Sequence, residues 1–425
     1  MTFRLMANAS IIASAMAFLA GAVLLWGPVA AAAGQGTSVR ASAPAESFPV
    51  ATAVRLGGDD KQTRFVVDLT RKLDVATFIL ADPYRVVVDL PQVIFNLPSK
   101  AGEHGRGLVT AFRYGLVMKG GSRIVLDTKG PVRVEKAFTL DAAEGQPARL
   151  VLDLAATDRA SYLHTIALNH PARSAPARPS VAEPLADLDP RPLIVIDPGH
   201  GGIDTGARTS TGVHEKDVVL TFALALRDKL AQAGKYRVEM TRSDDTFVPL
   251  GGRVQFARSR KAALFVSIHA DFLPHKEGQA EGASIYTLSE HASDAEAARL
   301  ADDENRADVI AGVDLSAEPN DVANILVDLA QRETKTFSVQ FARIASGELK
   351  TATRLHKHPI KAAGFKVLTA PDVPSVLIEL GYMSDKGDLK HLISPVWRTR
   401  TTAALSQAID TYFAPRLAGA GTRMR

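Results

Sequence analysis

Apolar and polar residues follow different patterns in the two halves of the chain. Between residues 50 and 154, short β-branched runs recur, each preceded by an arginine and followed closely by an aspartate. They are RFVVDL, RVVVDL, RIVLDT and RLVLDL, which begin at Arg64, Arg85, Arg123 and Arg149. Such runs, separated by turn residues, predict strands of an all-β domain over residues 47–156. From their spacing alone, we favour the interpretation that the repeated charges only mark strand ends that face water.

Strand and helix patterns alternate in the second half. The predicted elements are a strand at 193–196, a helix at 216–233, an extended stretch at 236–241, and strands at 263–268, 367–368 and 375–380. This alternation predicts an α/β domain over residues 192–416, with a mixed sheet flanked by helices. Proline and alanine accumulate in residues 157–191, which predicts a linker between the two domains.

Residues 293–349 depart from this alternation because they are helical in pattern almost throughout. Ser293 and Asp294 provide an N-cap signal, and the acidic stretch DAEAARLADDENRAD follows. A second helix has a row of apolar side chains: Ile325, Leu326 and Leu329. We therefore expect a helical insertion within the α/β domain.

The N-terminus has an apolar stretch over about residues 9–26, followed by a run of four alanines that ends at Ala33. This order predicts a secretory signal peptide over residues 1–33. The apolar stretch is also long enough to span a bilayer as a retained anchor. In either case we expect the protein to act outside the cytoplasm, where nucleotide cofactors are scarce.

The composition limits the kinds of metal site, nucleophile and binding partner that the protein can have. The 425 residues include no cysteine, which excludes disulfides, thiolate metal sites and cysteine nucleophiles, so a metal must be held by His, Asp or Glu. The formal charge is +4, from 50 basic and 46 acidic residues with no long basic run, and gives no indication of nucleic-acid binding.

Two histidines follow predicted strands, His200 in IVIDPGHGG and His269 in SIHAD. Open α/β sheets place their sites at the carboxyl ends of the strands, and Glu215, at the start of the next predicted helix, can reach the same edge. Zinc hydrolases commonly combine three such ligands with an open fourth position. Taken singly, each residue is also explained as a surface histidine or a helix-start carboxylate. The glycines around His200 lack the spacing and the lysine of phosphate-binding loops.

The order DPGHGG, Glu215-Lys216, SIHAD, AGFKVL and PSVLIELGYMSD resembles the zinc-dependent N-acetylmuramoyl-L-alanine amidases of bacteria. This resemblance implies that His200, Glu215 and His269 bind Zn²⁺ and that Glu379 is the catalytic carboxylate. Asp204 and Asp271 lie close to these ligands, either as further ligands or, as we favour, as their supports. The N-terminal strands resemble the AMIN domain, a peptidoglycan-targeting module.

The same resemblance implies cleavage of the amide between N-acetylmuramic acid and the first L-alanine of the stem peptide, in septal cell-wall splitting during cell division. The expected location is the periplasm of a Gram-negative bacterium. Two alternatives stay open: a non-catalytic cell-wall binding or scaffold protein, and a zinc peptidase that acts elsewhere on the stem peptide.

The helical insertion resembles the blocking segment of periplasmic cell-division amidases, in which a glutamate fills the open zinc position. We expect Glu304 to be that residue. The insertion offers further carboxylates as alternatives: Glu296, Asp302, Asp303 and Asp308. The second helix, with Ile325, is the expected docking surface for an activating LytM-domain protein.

Overall fold

The structure is a computed structural model and describes residues 48–98, 100–118, 120–169, 189–273, 280–313 and 325–422. The predicted signal peptide at 1–33 lies outside the described residues. Within the described part of the chain, no helix has the length and apolar character needed to cross a membrane.

Two antiparallel sheets form the N-terminal domain, which confirms the predicted all-β fold. The strands are β1 (Val50–Gly58), β2 (Gln62–Leu69), β3 (Ala76–Leu80), β4 (Arg85–Pro91), β5 (Ile94–Phe95), β6 (Val109–Met118), β7 (Gly121–Thr128), β8 (Val132–Leu140) and β9 (Ala148–Ala156). One sheet has the order β5-β1-β2-β9-β8 and the other β3-β4-β7-β6. The β1–β5 pair is parallel, and every other pair within these two sheets is antiparallel.

The four runs that begin with arginine occupy the central strand pairs, β2–β9 in one sheet and β4–β7 in the other. Arg64 lies opposite Asp153, and Arg123 lies opposite Asp89, and each pair forms two hydrogen bonds. The repeated charges therefore pair across strands in addition to bordering the strands. Alternate apolar side chains from both sheets, such as Phe65, meet in one buried core.

Helix α1 (Arg159–Asn169) lies within residues 157–191, where the sequence predicts a linker. Asp158 begins the helix by accepting a hydrogen bond from the Ser161 amide. Tyr162 is 1% exposed, and its hydroxyl donates to the main-chain oxygen of Leu80. Packing against the N-terminal domain thus extends that domain beyond the predicted boundary, while residues 170–188 lie outside the described part of the chain.

The second domain is an α/β fold with a mixed sheet, as predicted. Its strands are β10 (Leu193–Pro198), β11 (Arg237–Met240), β12 (Leu264–His269), β13 (Ala283–Leu288), β14 (Leu355–Ala363) and β15 (Ser375–Glu379). Its helices are α2 (Glu215–Ala233), α3 (Leu250–Ser259), α4 (Ala295–Glu304), α5 (Ala307–Ile310), α6 (Ile325–Leu349), α7 (Lys386–Leu392) and α8 (Pro395–Thr422). The sheet order is β11-β10-β12-β15-β13-β14, and β13 runs antiparallel to β15.

Both faces of this sheet are covered, because side chains that alternate along each strand enter different cores. Ile194 and Ile196 of β10 pack in the cluster that includes residues of α2, α6 and α8. Leu193 and Val195 pack in the cluster that includes residues of α3, α4 and the N-terminal domain. Burial on both faces explains why the central strands are continuously apolar in sequence.

Three sequence predictions differ from this structure. Strands β13 and β14 have no counterpart among the predicted elements, and β14 is a polar edge strand that contains Pro359. Residues 366–368, where a strand is predicted, form a single 3₁₀ turn whose Val367 and Leu368 are buried. The predicted insertion at 293–349 also extends too far, because Phe341, Ala345 and Leu349 of α6 belong to the core of the α/β domain.

Candidate metal centre

The predicted site residues meet at the carboxyl edge of the second sheet. His200 follows β10, and His269 ends the adjacent parallel strand β12. Glu379 ends the next strand and lies in register opposite His269. Glu215 is the first residue of α2, and Glu304 is the last residue of α4. Parallel strand ends thus bring together residues that are up to 179 positions apart.

Four donor atoms surround one small volume in this edge. One nitrogen or oxygen atom each from His200, Glu215, His269 and Glu304 lies within 4.8 Å of the others. The Nε2 atom of His200 is 3.1 Å from a Glu215 oxygen and 3.5 Å from a Glu304 oxygen. The Nδ1 atom of His269 is 3.3 Å and 3.2 Å from oxygens of the same two carboxylates.

This donor set fits a tetrahedral zinc ion. Ligand bonds of about 2.0–2.2 Å place neighbouring donors of a tetrahedron roughly 3.3 Å apart, which is the spacing of these nitrogen and oxygen atoms. The His200 Nε2 and His269 Nδ1 atoms are buried and have no hydrogen-bond partner. Buried polar atoms without partners are uncommon, so two that face the same centre indicate that an ion belongs there.

The charges of the donor residues are consistent with a bound cation. Burial lowers the pKa of His269, but the Glu304 and Glu215 carboxylates outweigh it and raise this pKa to about 10. Burial raises the pKa of Glu215, but the two histidines hold it well below its usual value. Two carboxylates buried in this way require compensating positive charge, which protonated histidines supply without an ion and a divalent cation supplies when it displaces those protons.

A tightly packed loop orients the two histidine rings. His200 has φ +57°, a left-handed conformation, and its Nδ1 atom is 2.9 Å from Asp204 Oδ2. A Cβ atom on Gly199 would lie 2.3 Å from His269 Cε1, and one on Gly206 would lie 2.7 Å from a Glu215 oxygen. Only glycine permits these approaches. Asp204 contacts His200 from outside the donor set, and its role as the support of a metal ligand stays a prediction.

Two buried arginines, which the sequence analysis missed, hold the loop from the other side. Arg253 donates to Asp197 Oδ1 and to the main-chain oxygens of Pro198 and His200, each at 2.8 Å. Arg242 donates to the Gly199 oxygen at 2.7 Å. An aspartate at the end of the otherwise apolar strand β10 was the signal that a buried cation lies nearby.

Glu379 is fully buried beside the donor set. Its Oε2 atom accepts a hydrogen bond of 3.1 Å from the Asp271 amide, whereas Oε1 has no partner. Burial raises the pKa of Glu379 well above its usual value. A carboxylate with a raised pKa and a free oxygen is suited to accept and return a proton.

Glu304 is the insertion carboxylate that reaches the centre. The alternatives have other surroundings. Glu296 accepts a hydrogen bond from Lys361, and Asp308 accepts one from the Leu250 amide. Asp302 and Asp303 are exposed. The side chains of Ile325, Leu326 and Leu329 lie outside the described residues, so the expected activator surface stays a prediction.

A cleft of about 970 Å³ leads to the centre between the two domains. His200, Asp271 and Glu304 lie at one wall, and Phe95 and Tyr114 of the N-terminal domain line another. The two aromatic rings are 4.8 Å apart and tilted by 38°.

Family models, curated relatives and solved structures all match this chain to the same kind of protein. The family described as N-acetylmuramoyl-L-alanine amidase matches residues 194–411, and the AMIN domain matches residues 53–154. The N-acetylmuramoyl-L-alanine amidase AmiC of Neisseria meningitidis is 33% identical over 409 residues, which cover 92% of this chain and 95% of the relative. AmiC of Escherichia coli is 33% identical over 375 residues, covering 85% and 89%. The solved amidase AmiC2 of Nostoc punctiforme is 25% identical, covers 52% of this chain and 97% of its own, and has a TM-score of 0.38.

Proposed function

The chain belongs to the N-acetylmuramoyl-L-alanine amidase family and contains an AMIN domain, and from this premise we propose that it is a zinc-dependent cell-wall hydrolase. Its reaction is cleavage of the amide between N-acetylmuramic acid and the L-alanine of the stem peptide. The observation that supports this most strongly is the convergence of four donor atoms within 4.8 Å of one another, beside Glu379. His200, Glu215 and His269 hold the ion, and Glu304 takes the fourth position.

When bound, zinc supplies Lewis-acid chemistry that polarises an amide carbonyl and makes a nearby water more acidic. Glu379 transfers the proton as a general base and then a general acid. Its free Oε1 atom takes a proton from the attacking water as the new C–O bond forms, and returns it to the leaving nitrogen as the C–N bond breaks. The products are a lactyl carboxylate and a free alanine amine. A well-placed acid–base group of this kind contributes about 10²–10⁴-fold to the rate.

Glu304 makes the described conformation a resting state. Glu304 is 7% exposed and its carboxylate is one of the four grouped donors, so in this proposal it occupies the position that a substrate carbonyl needs. Substrate binding therefore requires the end of α4 to move. We propose that a LytM-domain activator triggers this movement through α6, so that cleavage is restricted to the division septum. A periplasmic location is consistent with the AMIN domain and with the AmiC relatives.

Mass spectrometry of digested peptidoglycan tests the activity. The Glu304→Ala variant removes the blocking carboxylate and should release stem peptides with free N-terminal alanine, whereas wild type alone should release few. The double variant Glu304→Ala/Glu379→Gln should bind zinc but release none. Cleavage within the stem peptide would indicate a peptidase instead, and a zinc-loaded Glu304→Ala protein without any activity would indicate a binding or scaffold protein.

A further inference from the structure

The AMIN domain contacts the inserted segment through the outer face of its β3-β4-β7-β6 sheet. Arginines on three neighbouring strands of this face donate to successive main-chain carbonyls around the end of α5. The hydrogen bonds run from Arg85 to Val309 (2.8 Å), from Arg113 to Ile310 (3.1 Å), and from Arg123 to Ala311 (3.1 Å) and Gly312 (2.9 Å). The Val309 oxygen also accepts a hydrogen bond from the Gly312 amide, and the guanidinium groups provide further donors to the carbonyls at this helix end.

The arginines are held in place by other groups of the AMIN domain. Asp89 accepts two hydrogen bonds from Arg123, at 2.6 and 3.0 Å. Asp127 accepts two from Arg113 in the same bidentate geometry. Arg85 is 3% exposed. Paired guanidinium groups are oriented before they meet the segment, so little side-chain freedom is lost on contact.

Apolar packing accompanies these bonds. Val87 of β4 and Val125 of β7 face away from the AMIN core and share a buried cluster with three alanines of the insertion: Ala301, Ala307 and Ala311. Gly312 has φ +65°, and a Cβ atom there would lie 2.9 Å from a Val125 methyl carbon. The segment approaches the sheet so closely that only glycine fits at this point.

Glu304 lies in sequence between residues of the shared cluster and just before the carbonyls that the arginines contact. Ala301 and Ala307, which flank it in sequence, are both in the shared cluster. The AMIN strand β6 also contacts the loop after His200, because the Leu116 oxygen accepts a hydrogen bond of 3.0 Å from the Ile203 amide. One AMIN sheet therefore contacts both the metal-binding loop and the segment that blocks it.

We propose that the face formed by Arg85, Arg113, Arg123, Val87 and Val125, here named the AMIN clamp, is an intramolecular docking surface that holds residues 307–313 and thereby keeps Glu304 at the metal centre. The inference rests on the proposed function in that Glu304 blocks the site. Because the end of α4 cannot move away without breaking these contacts, removal of the AMIN domain from this position and release of Glu304 favour each other.

The test uses the full-length, zinc-loaded protein and two readouts: hydrogen–deuterium exchange of the amides of residues 305–313, and basal release of dye from labelled peptidoglycan. The variant Arg113→Ala/Arg123→Ala removes three of the bonds to carbonyls. Its matched control is Arg55→Ala/Arg64→Ala, which breaks the Asp68 and Asp153 pairs of the other AMIN sheet. We expect the clamp variant to increase both readouts by about tenfold or more, and the control to change neither.

Gly312→Val disrupts the same contact from the inserted segment and leaves the AMIN domain unchanged. It serves as the test of the clamp if the arginine variant does not fold. Its control, Gly145→Val, lies at φ +75° with nothing within 4 Å. Exchange at 305–313 that equals wild type in folded clamp variants overturns the inference. If those variants stay inactive while Glu304→Ala is active, the clamp is refuted and the amidase function stands. If Glu304→Ala is also inactive, the proposed function fails, and exchange alone decides on the clamp.

Discussion

Substitution of Asp204 tests the proposed zinc site through a residue outside the proposed ligand set. The Asp204 carboxylate lies 2.9 Å from His200 Nδ1 and accepts a second hydrogen bond, through Oδ1, from the Gly206 amide at 3.2 Å. Asp204→Asn keeps the shape of the side chain but replaces one acceptor with an NH₂ donor. The amide cannot accept at both places, so either the His200 ring loses its orienting partner or the loop loses its bond to Gly206.

The expected loss follows from two independent magnitudes. Removing a group that orients a metal-bound histidine typically weakens metal affinity by about 10–100-fold. That range equals about 1.4–2.7 kcal/mol. A buried hydrogen bond to a charged group is worth about 1.5–3 kcal/mol, which agrees. We therefore expect the zinc affinity of the Asp204→Asn variant to lie about 10–100-fold below that of wild type.

Competition against a chromophoric chelator measures this affinity on metal-stripped protein. Asp217→Asn is the matched control, because Asp217 lies in the first turn of the same helix as Glu215 and its side chain is 61% exposed. Circular dichroism and thermal melting establish that both variants fold. If the Asp204→Asn protein melts normally and binds zinc as tightly as wild type, His200 is not a ligand oriented by Asp204, and the reasoning fails.

Three further predictions concern stability around the same loop. Gly199→Ala places a methyl group 2.3 Å from His269 Cε1 and should lower the free energy of unfolding, measured in urea, by about 1–3 kcal/mol. The control Gly251→Ala, whose added methyl group has nothing within 4 Å, should not lower it. Equal stabilities of the two variants would contradict the close approach at Gly199. Arg253→Met leaves the fully buried Asp197 without its cation and should reduce the same free energy by about 3–5 kcal/mol; a loss below about 1 kcal/mol would contradict the buried pair. Burial raises the pKa of Asp197, but Arg253 and two hydroxyl groups outweigh it, so this pKa is lower in the folded than in the unfolded protein. Stability should consequently decline as the pH falls below about 4, and Asp197→Asn should make that decline shallower in acid titrations followed by circular dichroism.

The local patterns predicted much of the fold. The arginine-bounded runs are the central strands of the N-terminal sheets, helix α2 begins at Glu215, and Asp294 caps α4 through the Ala297 amide. These features depend on period, length and capping, which neighbouring residues determine. Strand β14 was missed because an edge strand needs few apolar residues, and α6 was assigned to the insertion because a helical pattern does not tell which neighbours its apolar face will contact.

The sequence by itself determined which residue types lie at strand ends, and with the resemblance it indicated His200, Glu215, His269 and Glu379. Tertiary structure alone decided the arrangement of the donor atoms, which include the Glu304 that the resemblance favoured, and the use of Arg123 by a segment 188 positions later. The physical reason is that the sequence does not specify in which direction a charged side chain points. Whether an arginine faces water, pairs across a strand or binds a distant carbonyl depends on which surfaces meet after folding.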